Sequence, residues 1–220
     1  MVVKPTSVGG LHKNTIISAK LQVAGKLAAF FVFAILLAIQ EGLTQENGQW
    51  RAGRFSFSDE LGGFRITSVN GSGTRRDPYF IKQIFDTARS ATLVVRSHKM
   101  PNVASLPNNN VTHSAIHVHI ETLNNSNLPW VGFGFELQEK RDKVSTYGDG
   151  LSFDQLGRRN EDIYSNRFLD FEDQFEPGDR LVYTNGFVNN QTTVVTRFVI
   201  TDFTPVPKFY LYQDPLVPAS

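Results

Sequence analysis

The chain has 220 residues, 40% hydrophobic and 20% charged, with a formal net charge of +1; the composition does not suggest disorder, and the charge excludes a strongly basic nucleic-acid footprint for the whole protein. With no Cys, disulfides, thiolate metal sites and cysteine nucleophiles are excluded as well. Seventeen Gly and ten Pro exclude collagen-like and Pro-rich classes, and eighteen Phe against two Trp and two Met predict an aromatic core.

The first segment is the clearest. Leu27 to Ile39 (LAAFFVFAILLAI) is an unbroken apolar run, preceded by Lys4, Lys13, Lys20 and Lys26 without an acid. A short apolar run behind a basic lead is the pattern of an export signal. A spanning helix needs roughly 20 apolar residues, a length that 21–39 approaches only by carrying Gln22 and Lys26. The small-residue pattern of a cleavage site is weak at Leu36-Leu37-Ala38 and at Gly42-Leu43-Thr44. Residues 1–45 therefore read as an export signal or a single membrane anchor, formed by a hydrophobic helix. The lysines on one side place the rest of the chain outside the cytoplasm. Export without Cys suits the periplasm or surface of a bacterium, because secreted eukaryotic domains commonly use disulfides.

Residues 46–220 read as one domain made of strands. Arg54 to Ser58 alternates, with Phe55 and Phe57 on one face. Gly62-Gly63 is a turn, and in 64–69 Phe64, Ile66 and Ser68 alternate against Arg65, Thr67 and Val69. Residues 79–85 fit a strand or a short amphipathic helix, and 92–96 (TLVVR) is a β-branched strand. Residues 100–110, with two Pro and four Asn, are a long loop or a soft boundary. In 111–123, Ile116, Val118 and Ile120 form one face and His113, His117, His119 and Glu121 the other. The strand 130–137 carries Phe133, Phe135 and Leu137 on one face; Gly132 and Gly134 leave the other face thin, open to another strand or a ligand. Residues 147–177 are acidic and irregular, read as a loop with one helical turn. Asn185-Gly186 predicts a type I′ hairpin between 181–184 and 187–188. Strands over 192–201 and 209–213 complete about nine. The fold expected is all-β: an antiparallel β-sandwich, immunoglobulin-like or jelly-roll-like, behind the N-terminal helix, because half-buried strands must cover their apolar faces with a second sheet.

The landmarks Gly71-Ser72-Gly73-Thr74-Arg75-Arg76-Asp77-Pro78, Glu176-Pro177-Gly178-Asp179-Arg180-Leu181, Thr201-Asp202-Phe203-Thr204-Pro205 and Phe209 to Pro215 resemble small exported proteins of alphaproteobacteria. The resemblance implies an exported protein without an assigned activity and transfers no catalytic residue.

Three groups of residues could carry chemistry. His117 and His119 are two apart on a strand, so they point the same way about 6.6 Å apart. With His113 and Glu121 they form a His/carboxylate set that suits zinc or copper; clustered imidazoles would also respond to pH. Asp149, Asp154 and Asp162 in the acidic stretch offer oxygens for calcium, though no EF-hand run exists. Trp130 and Tyr147, with Trp50 and Tyr164, are candidate stacking platforms for a sugar.

Charge is also uneven. Between Arg51 and Lys99 stand nine basic and four acidic residues; between Asp149 and Asp179, three basic and nine acidic. The two segments either face each other within the fold or mediate self-association. No G-x-S-x-G, Walker loop or H-E-x-x-H occurs, and no carboxylate pair stands out. The function expected is a non-catalytic envelope module that binds a protein or a polysaccharide or serves a structural role. A metal-binding protein and a carbohydrate-binding sandwich are the alternatives.

Overall fold

Apart from Met1, the computed structural model describes residues 45–46, 48–98, 114–153, 160–174 and 176–219. The chain divides into two units, Met1–Gly42 and Leu43–Ser220. The predicted N-terminal helix, the linker 100–110, His113, Asp154 and the side chain of Tyr147 lie outside the described residues.

The second unit is nearly all β. In chain order its strands are β1 (Gln45–Glu46), β2 (Gln49–Ala52), β3 (Phe55–Ser58), β4 (Arg65–Asn70), β5 (Tyr79–Phe85), β6 (Ala91–Ser97) and β7 (Ser114–Asn124). There follow β8 (Gly132–Gln138), β9 (Leu151–Phe153), β10 (Tyr164–Ser165), β11 (Phe168–Gln174), β12 (Arg180–Gly186), β13 (Thr192–Asp202) and β14 (Lys208–Leu216). Among the described residues the only helical pieces are 3-10 turns at Tyr147–Asp149 and Asn160–Asp162.

Two sheets form. The first has the order β1-β2-β3-β6-β14-β8-β12-β11; the second has β10-β13-β7-β5-β4, with β9 also pairing β13. Neighbours are antiparallel except β5 and β7, which run parallel. The strand between these two in sequence, β6, belongs to the first sheet. The chain therefore leaves one sheet for the other and returns, and the crossover that parallel neighbours require passes through the first sheet.

One aromatic core joins the sheets. Phe57 of β3 meets Tyr79 of β5 at 5.0 Å between ring centres, and Phe135 of β8 meets Phe198 of β13 at 4.8 Å. Phe85 of β5 packs edge-on to Phe133 of β8 at 5.8 Å. Such pairs contribute about 0.5–1.5 kcal/mol each beyond area burial. A polar contact crosses the same core. The buried amide of Gln83 on β5 donates to Gln213 Oε1 on β14 at 2.6 Å and to Thr122 Oγ1 on β7 at 2.9 Å.

β7 keeps the alternation its sequence predicts: Ile116, Val118 and Ile120 are buried, while His117, His119 and Glu121 are half-exposed. β5 is a strand, with Tyr79, Ile81, Gln83 and Phe85 inward. Three expectations are corrected. In β4 the pairing shifts between Ile66 and Ser68, so a bulge turns Val69 inward in place of Ser68. Asn185-Gly186 is not a hairpin turn. β12 runs through both residues, and Gly186 pairs with Phe168. A Cβ at Gly186 would stand 2.0 Å from Arg167 O, so this glycine is set by a close backbone approach. The chain turns later, at Asn189–Thr192, with Gln191 at φ 62°. The acidic segment expected to be a loop supplies β10 and β11.

Candidate functional site

The outer face of the first sheet carries a groove of about 400 Å3. Its geometry follows from the register of β12, β8 and β14. Arg180, Glu136 and Tyr212 form one rung across the three strands; Val182, Gly134 and Asp214 form the next. Their neighbours Leu181, Phe133, Phe135 and Gln213 point into the core, so both rungs face outward. Gly134 is the floor. A Cβ there would lie 3.7 Å from Asp214 Cβ and 4.0 Å from Val182 Cγ2, which is ordinary contact. The groove is thus the volume that a side chain at 134 would occupy. At its end Leu216 leans over Gly132, which must stay small because a Cβ would stand 2.8 Å from Tyr183 O.

The groove is charged on both sides and apolar between. Arg180 Nε donates to Glu136 Oε2 at 2.7 Å. The Asp214 carboxylate has neither hydrogen bond nor ion pair among the described residues. Burial first, then the Glu136 charge, push its carboxyl above the usual carboxylate range. Tyr212, Leu216 and Val182 supply apolar surface. Gly134 was legible as a thin spot on β8; Glu136, Arg180, Tyr212 and Asp214 were not, since strand pairing alone brings them together.

The sequence-predicted ligands are placed differently. His117, His119 and Glu121 share the outer face of β7. His119 lies opposite Arg197 and edge-on to Phe80 at 6.4 Å; burial, then the Arg197 and His117 charges, hold its imidazole below the usual value. Glu121 is 3.2 Å from the ammonium of Lys82. Cations therefore stand where a metal would need free donors, and among the described residues no three His, Asp or Glu side chains form a metal-holding group.

Asp149 accepts the backbone N–H groups of Thr146 and Leu151, each at 3.1 Å. Asp162 takes a two-pronged contact from Arg75, at 2.6 and 2.9 Å. Both candidate calcium ligands are committed to protein donors. The Arg75–Asp162 pair also ties the basic segment to the acidic one.

Trp130 is fully buried, packed on Phe85 and Phe133, with Nε1 donating to Ser126 Oγ. Neither ring face is open to a ligand, which corrects its reading as a stacking platform. Trp50 is half-buried, and Tyr164 lies under the Arg197 guanidinium at 4.8 Å.

One buried acid escaped the sequence reading. Asp179 is wholly buried; its Oδ1 accepts the Ser152 hydroxyl, and its Oδ2 has no partner. Burial pushes its carboxyl up to about 7, against the Ser152 hydrogen bond and with the charges of Asp149 and Glu176 adding to the rise. Asp202 nearby is raised to about 6, chiefly by burial.

No family model, curated protein or solved structure matches the chain.

Proposed function

We propose that this is an exported protein of the bacterial envelope whose two-sheet domain, a sandwich of immunoglobulin-like or jelly-roll-like type, binds a polysaccharide in the groove above Gly134. The observation that carries the reading is the groove itself. It combines an aromatic residue, paired and unpaired carboxylates and a guanidinium around a position with no side chain, on an otherwise regular sheet face. Sugars are held by this combination: ring C–H groups lie on an aromatic face, and hydroxyls bond to carboxylate and guanidinium. The open shape suits an extended polymer more than an enclosed small molecule.

Export rests on the basic lead and apolar run before residue 40. That run lies outside the described residues; among those, no helix is long and apolar enough to cross a membrane. The resemblance to small exported alphaproteobacterial proteins agrees with this reading.

The test is retention of the full-length chain, in detergent micelles, on immobilised envelope polysaccharide. Wild type is expected to be retained and Gly134→Leu to flow through with an unchanged melting temperature. Equal retention of both would refute the groove as the binding surface.

A further inference from the structure

On the reading that the groove binds glycan, its charges select the kind of sugar. Glu136 is paired with Arg180 on one side. Asp214, on the other, has no cation among the described residues. It stands beside the open volume, its Cβ 3.7 Å from where a Cβ on Gly134 would be. Burial and the Glu136 charge both disfavour its ionised form, a penalty that a bound cation would reverse. Two residues along the same face of β14 is Tyr212. Its ring attracts a cation and accepts the flat C–H face of a pyranose. Leu216 and Val182 close the far side with apolar surface.

A ligand that answers every group here carries one ammonium for Asp214, a flat ring for Tyr212 and hydroxyls for Glu136 and Arg180. We infer that the groove recognises an amino sugar, a pyranose unit with a free protonated amine, within an envelope glycan. A lysine side chain would supply the ammonium but no hydroxyl-bearing ring. An N-acetylated sugar would supply the ring but leave Asp214 uncompensated.

Calorimetry of the full-length chain in detergent micelles decides the matter. The probes are glucosamine oligomers, N-acetylglucosamine oligomers of the same length and a lysine oligopeptide, at a pH where the amines are protonated. A charge-assisted hydrogen bond at Asp214 predicts roughly tenfold tighter binding of the free-amine oligomer. Asp214→Asn is expected to bring the two sugars within about twofold, and Tyr212→Ala to weaken both. Equal affinity for the two sugars in wild type, or a preference surviving in Asp214→Asn, would overturn the amine assignment. Loss of both sugars in Gly134→Leu would still uphold the groove, so the two readings fail separately. Tighter binding of the peptide than of either oligomer would overturn the sugar as the source of the amine. Binding of no probe would overturn the inference together with the choice of ligand.

Discussion

Replacing Asp179 by Asn should stabilise this protein at neutral and alkaline pH and do little in acid. The carboxyl is fully buried, and one oxygen has no partner. Its pKa rises from 3.8 to about 7, mainly through burial. In the unfolded chain the proton leaves near pH 4; in the folded chain it stays until about pH 7. Between those values the folded state binds more protons, so stability falls as pH rises. Above about pH 7 the penalty is complete; below about pH 4 it is absent. Three pKa units correspond to about 4 kcal/mol, and structural relaxation and water access bring the expected figure to ~2–4 kcal/mol. For a domain of this size that is a rise of roughly 4–16 °C in melting temperature. Thermal melts of wild type and Asp179→Asn from pH 4 to 8 read it directly. Asp202 titrates in the same direction and is present in both proteins, so the difference isolates Asp179. Wild type as stable at pH 8 as at pH 5, or a variant weakened equally at every pH, would refute the reasoning.

Two glycines should behave oppositely. Gly186→Ala forces a Cβ to 2.0 Å from Arg167 O and should cost several kcal/mol, whereas Gly134→Ala meets nothing closer than 3.7 Å and should leave the melting curve unchanged. Trp130→Ala should cost about 3–5 kcal/mol in chemical denaturation, because the side chain sits in the core; ligand loss with full stability would show that the ring faces a site after all. Gln213→Leu removes the cross-sheet partner of the buried Gln83 amide and leaves it only Thr122, and should cost about 1–3 kcal/mol, a value that a neutral melt would contradict.

Much of the strand pattern is written in local periodicity, and the misses have physical causes. β7 was readable because its two faces differ sharply: Ile116, Val118 and Ile120 against His117, His119 and Glu121. β4 misled from Ser68 onward because a bulge adds a residue to one strand, and no periodicity signals that in advance. β11 was hidden because it is an edge strand whose alternate positions are Asp170, Glu172 and Gln174; with Phe168 and Phe171 three apart, it imitates a helical turn. Asn185-Gly186 has a turn composition, yet the glycine serves the close passage of Arg167. Trp130 shows the limit for function: two residues before β8, it is buried against Phe133 of that strand and Phe85 of the distant β5. The groove was half legible. Gly132 and Gly134 marked a thin face, but Arg180, Tyr212 and Asp214 reach it only through pairing across 44 and more residues of chain.

The central claim, that ligand sits over Gly134, is tested most directly by amide chemical shifts of the full-length chain titrated with envelope polysaccharide. The account predicts that the largest changes fall in 134–136, 180–182 and 212–216 and are absent in Gly134→Leu. Changes centred on His117, His119 and Arg197 of the opposite sheet, or unaffected by the substitution, would contradict it.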